Sequence, residues 1–164
     1  MADDLPESIQ RCLEPLFDAL PLHEAMSALV VVQPAPDHVL EQARKLSCQE
    51  PFATRPTLAA GLWMYVDQLD ESHRISQGIH DATGSFWHGI MHRREGDFSN
   101  SHYWFRKVGN HPAMGGIDCG GGYDPHAFID RAEAAHHAGE AATELVACQR
   151  REWQTLLAWC TAQG

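Results

Sequence analysis

The chain lacks long apolar runs, a basic surplus and paired cysteine motifs, and each lack removes a class of function. No unbroken apolar stretch exceeds five residues, as at 28–32, where a transmembrane helix needs about 20. The start, Met1-Ala2-Asp3-Asp4, is acidic where a secretory leader is basic, and no apolar segment follows it. Lys and Arg number 12 against 22 carboxylates, a formal charge of −10, which speaks against general nucleic-acid binding. The five cysteines, Cys12, Cys48, Cys119, Cys148 and Cys160, are odd in number and include no C-x-x-C pair. No disulfide framework, zinc knuckle or thioredoxin motif is therefore expected. These absences point to a soluble cytoplasmic protein without nucleic-acid or membrane partners. Internal repeats, low-complexity tracts and a convincing alternating strand pattern are missing as well.

Histidine is what the chain has in excess: eleven in 164 residues. Six of them, His73, His80, His88, His92, His102 and His111, fall between 73 and 111. In that window five basic residues, Arg74, Arg93, Arg94, Arg106 and Lys107, face three acidic ones, Asp81, Glu95 and Asp97, a surplus of +2. The rest of the chain carries seven basic against nineteen acidic residues, or −12. A cationic, histidine-rich island in an acidic chain suits a small anion better than a polymer. The plainer reading of arginines on a helix is a solvated face.

At 18.3 kDa and 44% hydrophobic residues, one domain with its own core is expected. Apolar residues recur at helical spacing in most of it, which predicts an all-α helical bundle. One helix spans about 4–20, and residues 22–32 read as helix passing into an extended valine run. Asp37 caps a helix carrying Val39, Leu40, Ala43 and Leu46. Thr54 and Pro56 open a stripe from Leu58 to His80, either one long helix or two broken near Asp70-Glu71-Ser72. A helix over 86–95 ends at Gly96, and a short aromatic one over 102–108, capped by Ser99 or Asn100, ends at Gly109. A glycine-rich loop occupies 109–125. Asp124-Pro125 starts a helix to about 138, and the last runs over 140–162.

On the 86–95 helix, about 100° per residue puts Phe86, Trp87, Ile90 and Met91 on one face and His88, His92 and Glu95 on another. The i, i+4 spacing sets the His88 and His92 Cβ atoms about 5–6 Å apart, close enough to share a metal ion. Glu95 fits as a third ligand, an acceptor for a ring N–H, or a general base. His73 from the preceding stripe can join them, as in bundle metal sites. Gly89 stands where H-E-x-x-H needs its glutamate, so the segment is not a zincin. Histidine with carboxylate suits Zn, Fe, Mn or Ni. Arg93, Arg94 and Arg106 offer forks for phosphate or carboxylate, while Tyr103, Trp104 and Phe105 serve either as core or as a stacking platform. The glycine loop has neither G-x-G-x-x-G nor a following Lys-Ser/Thr, so it is no nucleotide cradle. Cys119 with His111 would make a nucleophile and its base.

The stretch from Gly84 to Pro112, with Asp70-Glu71-Ser72-His73-Arg74-Ile75 before it, resembles a family of small uncharacterised proteins. Their signature is W-H-x-I-x-H-R-x-E…N…Y-W-x-R-x-V-G-x-H-P. The resemblance implies no particular chemistry. It singles out His73, His88, His92, Arg93, Glu95, Asn100, Tyr103, Trp104, Arg106 and His111.

The expectation is a small all-α enzyme in which His73, His88, His92 and Glu95 act as metal ligands or acid–base groups. Arg93, Arg94, Arg106, Asn100, Tyr103 and His111 would hold an anionic small molecule, a phosphorylated or carboxylated metabolite. The alternatives are a non-catalytic module that binds an anion or a cofactor such as haem, and a structural protein whose polar motif is a closed hydrogen-bond network.

Overall fold

Proline and aspartate set most of the helix starts. In the computed structural model, which describes residues 5–163, eight α-helices and one 3-10 turn form, with no strand among those residues. They are α1 (Glu7–Ala19), α2 (Asp37–Ser47), α3 (Pro56–Tyr65), α4 (Leu69–Ser76), α5 (Ala82–Glu95) and α6 (Phe98–Val108). The 3-10 turn Pro112–Gly116, α7 (Pro125–Ala138) and α8 (Thr143–Ala162) follow. Asp81 caps α5 by accepting from the Gly84 N–H at 2.9 Å, and Asp97, rather than Ser99 or Asn100, caps α6 by accepting from Asn100 N–H at 3.0 Å. Asp124 accepts from the His126 and Ala127 N–H groups ahead of α7, where Pro125 needs no donor of its own. Gly96 ends α5 at φ +89°, a backbone state open to glycine at little cost. Asp4, the expected start of the first helix, lies outside the described residues.

One core runs through the molecule, from Leu5 to Cys160. Helices α3 and α5 lie at its centre: every residue of α3 from Leu58 to Tyr65 is buried, and so is nearly every residue of α5. Around α5 pack α4 and α6, with α8 across α3. The α5–α6 crossing is tight, since a Cβ on Gly89 would stand 2.8 Å from the Phe105 ring. The close approach lets Ser101 Oγ donate to the Gly89 carbonyl at 2.7 Å. Glycine at the zincin glutamate position is thus a packing requirement. No described helix is long and apolar enough to cross a membrane.

Three expectations change. Residues 22–32 form turns and bends, because other elements take their backbone groups. Gln149 donates to the Met26 and Ala28 carbonyls, Arg150 to that of Ala25, and the Val31 N–H reaches the Arg94 carbonyl. The long stripe splits into α3 and α4 at 66–68, before Asp70 and Glu71, which sit favourably in the first turn of α4. At that break Asp67 takes φ +58° and pairs with Arg94 at 2.7 Å. Beyond α4, His80 is exposed and leaves the core stripe. Third, Cys119 of the glycine loop and Cys148 of α8 form a disulfide. That corrects the expectation of none, and it removes the cysteine support for a reducing compartment.

The strongest tie between α5 and α8 is a buried ion pair. Arg93 donates to both carboxylate oxygens of Glu152, at 2.9 and 2.5 Å, with both side chains fully buried. The Tyr123 hydroxyl also donates to Glu152, and the Arg93 guanidinium lies 4.2 Å above the Phe128 ring. Removing one partner strands the other charge in the core. Glu152→Gln is expected to cost about 3–5 kcal/mol in urea unfolding. The paired change Arg93→Met with Glu152→Leu should cost clearly less than that.

Candidate metal centre

Three imidazoles converge where α4 meets the C-terminal half of α5. His88 and His92, one turn apart on α5, have ring centroids 4.8 Å apart, and His73 of α4 lies 4.6 and 5.5 Å from them. One nitrogen from each ring lies within 4.8 Å of the others. Around an ion with nitrogen ligands at about 2.0–2.1 Å in a tetrahedral shell, the nitrogens stand about 3.3 Å apart. The rings therefore need to draw in by about 1.5 Å at most.

Hydrogen-bond partners decide which nitrogens are bare. His92 Nδ1 lies 2.5 Å from Glu95 Oε1, and a carboxylate only accepts, so Nδ1 carries the proton and Nε2 the lone pair. The Asn100 amide, 3.1 Å from Nε2, donates to it. Ser76 donates its hydroxyl proton to the His73 carbonyl at 3.2 Å and faces His88 Nδ1 at 3.4 Å. Its oxygen is thus left to accept from His88 Nδ1–H, which again frees Nε2. A ring N–H held by carboxylate or hydroxyl while the other nitrogen stays bare is the usual arrangement of ligating histidines. Burial, helped by His92, His73 and Lys107, pushes the His88 pKa down to about 3. The ring is neutral at pH 7, as a ligand must be.

Of the expected residues, His73, His88 and His92 come together, and Glu95 joins them as the partner of His92 rather than as a fourth member of the group. Glu95 also belongs with His92 and Asp97 to a second, more exposed set of groups. Asn100 sits at the site and Tyr103 is exposed beside it, edge-on to Trp104. Arg93 and Arg94 correct the sequence reading. Both are fully buried, Arg93 on Glu152 and Arg94 on Asp67 and the Met64 and Ala28 carbonyls, so neither can bind a substrate. They follow His92 directly on a helix buried on every side, which turns them inward. Arg106 stays exposed on α6.

His111 also lies apart from the triad. It packs on Phe86 and Trp159, its Nδ1 accepts from the Ala113 N–H at 3.2 Å, and its Nε2–H therefore donates to Thr83. The disulfide removes Cys119 from any role as its nucleophile.

Of two further contributors, Trp104 was marked by the resemblance without a role, and Lys107 was not singled out as a site residue from the sequence. Trp104 stacks on His88 with centroids 3.9 Å apart, and Lys107 sets its ammonium 4.3 Å from the Trp104 ring. Asn100, Trp104 and Lys107 fall at i, i+4, i+7, one face of α6, and that spacing was a usable signal. A cleft of about 670 Å3 lined by Arg131, Glu140 and Glu144 lies elsewhere. So does one of about 390 Å3 beside Cys119 and Arg151.

Burial lowers the pKa of His111 as it does that of His88. The unfolded chain therefore binds protons more readily than the fold once pH drops below about 6.5. Stability is full above that pH and is lost as pH falls from it toward the depressed folded values. His111→Asn keeps an acceptor for the Ala113 N–H but does not titrate. Urea unfolding at pH 7.5 and pH 5 should show a smaller stability difference for this variant than for the wild type.

The chain matches no family model, no curated protein and no solved structure, so the case for this centre rests on its own geometry.

Proposed function

We propose that the protein is a small metal-dependent enzyme in which His73, His88 and His92 hold a divalent ion and an anionic small molecule is bound beside it. The observation that carries this reading is the convergence of three imidazoles, two with Nδ1–H held by Glu95 and Ser76 and Nε2 unprotonated, where an ion would displace the Asn100 amide from the His92 nitrogen. With Glu95 engaged by His92, the donor set is all imidazole, which suits Zn, Fe or Ni better than Mn. Three protein ligands leave a coordination position open for water or substrate, the mark of catalytic rather than structural sites. A bound ion would polarise an anion's oxygen or acidify a water there.

Lys107 takes the anion-binding role that the sequence suggested for Arg93 and Arg94. Its ammonium is held over Trp104, the ring that covers His88, and Asn100 offers an amide from the same face. A phosphorylated or carboxylated metabolite fits this pairing of metal and ammonium. The stretch that resembles the motif described from the sequence includes these same residues, His73, His88, His92, Glu95, Asn100 and Trp104. A second reading, a non-catalytic metal- or anion-binding module, draws on one observation: the two clefts described above are lined by other residues.

Purified protein is expected to retain one of these metals through gel filtration, and chelator should lower its melting temperature. His88→Ala and His92→Ala should each lose that metal by elemental analysis. Protein that holds no metal and does not respond to chelator overturns the proposal. Lys107→Gln should keep the metal yet lose most of the rise in melting temperature that phosphate or a small carboxylate produces. Turnover of phosphate or carboxylate esters by the loaded protein separates the enzyme from the binding module.

A further inference from the structure

Outside the triad, a second set of imidazoles stands between α6 and α7. His102 Nδ1 and His126 Nδ1 are 2.7 Å apart, the ring planes differ by 2°, and the centroids are 5.0 Å apart. These values set the rings edge to edge, each Nδ1 aimed at the other, so one of the two nitrogens must be bare. His102 Nε2 lies 3.0 Å from Asp130 Oδ1, and the carboxylate fixes the proton there. His102 Nδ1 is therefore the lone pair, and His126 Nδ1–H donates to it. Moving that one proton to His126 Nε2, the other neutral tautomer, bares both facing nitrogens.

We propose that His102 and His126 form a second metal site, taking a borderline divalent cation such as zinc through their two Nδ1 atoms. Asp130 holds the His102 ring from behind, the carboxylate–histidine–metal arrangement. Imidazole donors select zinc, nickel or copper over magnesium or calcium. In a tetrahedral shell the two nitrogens would stand about 3.3 Å apart with the ion about 35° off the line joining them, so the ring edges part by about 0.6 Å and each ring swings by about that angle as the ion takes the place between them. Both side chains have the room. His102 is one-quarter exposed and His126 only partly buried, and water can complete the shell. The backbone beneath is firm, since Asp124 and Pro125 fix the turn of α7 that carries His126. With two protein ligands the site is the weaker of the pair, and it does not depend on the triad.

Calorimetric titration of the metal-stripped full chain with zinc chloride tests it. Two equivalents are expected. His73→Ala should remove the tighter one and leave the weaker. His102→Ala and His126→Ala should each remove the weaker one and leave the tighter. Asp130→Asn, at an exposed position, should loosen the weaker equivalent by about tenfold or more without altering the fold. A single equivalent in the wild type that His73→Ala abolishes, or a weaker equivalent that survives His102→Ala, His126→Ala and Asp130→Asn unchanged, overturns the proposal. If His73→Ala changes nothing while His102→Ala and His126→Ala each remove an equivalent, the triad reading fails and this one stands.

Discussion

The buried pair of Arg93 and Glu152 is the constraint on which the placement of α5 depends. A guanidinium and a carboxylate in a dry interior are tolerable only when each satisfies the other with good geometry. Here two hydrogen bonds between them, a third from Tyr123 and the Phe128 ring satisfy the carboxylate and the guanidinium fork, while the Arg93 Nε–H is left without a hydrogen-bond partner. The pair fixes both the rotation and the depth of α5 against α8. Since Arg93 follows His92 directly, the same rotation turns His92 toward α4 and α6. Arg94 repeats the device on the other side, where Asp67 meets it at the break between α3 and α4. The two arginines thus hold the helix that carries the triad, and α4 supplies the third histidine.

The glycine loop is tied to that framework at two points on one face of α8. Cys119 is bonded to Cys148, and one turn further along Tyr123 reaches Glu152. The loop therefore buttresses the ion pair. Burial, reinforced by the negative charge of Glu152, holds the Tyr123 phenol well above its usual pKa, so it remains a hydrogen-bond donor over the physiological range. Glycines that suggested an anion cradle in the sequence provide the turns of a strap, with Gly120, Gly121 and Gly122 all at positive φ.

Histidine plays three physical roles in this chain. In the triad, burial keeps His88 neutral and leaves a lone pair for a ligand. At His111 a similar burial makes a packing residue that caps the 3-10 turn and bonds Thr83. Between α6 and α7 two partly exposed rings share one proton. Composition cannot separate these roles, because the difference lies in what each ring nitrogen faces.

Local signals were strong enough to be read from the sequence. The apolar stripe Val39, Leu40, Ala43, Leu46 is the buried face of α2, and Asp124-Pro125 opens α7 as its cap chemistry requires. The all-α class, the helix carrying His88 and His92, and the placing of Glu95 on their face follow from spacing alone, since 3.6 residues per turn decides which side chains are neighbours. That Glu95 is the partner of His92 rather than a third ligand was decided by the structure. Contacts distant in sequence were decided by the tertiary structure. A helix wheel distinguishes two faces of α5 but cannot show that both are buried, so Arg93 and Arg94 read as ligand-binding forks until Glu152 and Asp67 are seen to meet them. The same holds for Cys119 and Cys148, 29 residues apart, and for residues 22–32, whose backbone bonds go to α5 and α8. Sequence periodicity determines a helix and its neighbours within a turn or two. Which buried charge finds which partner depends on how the helices pack.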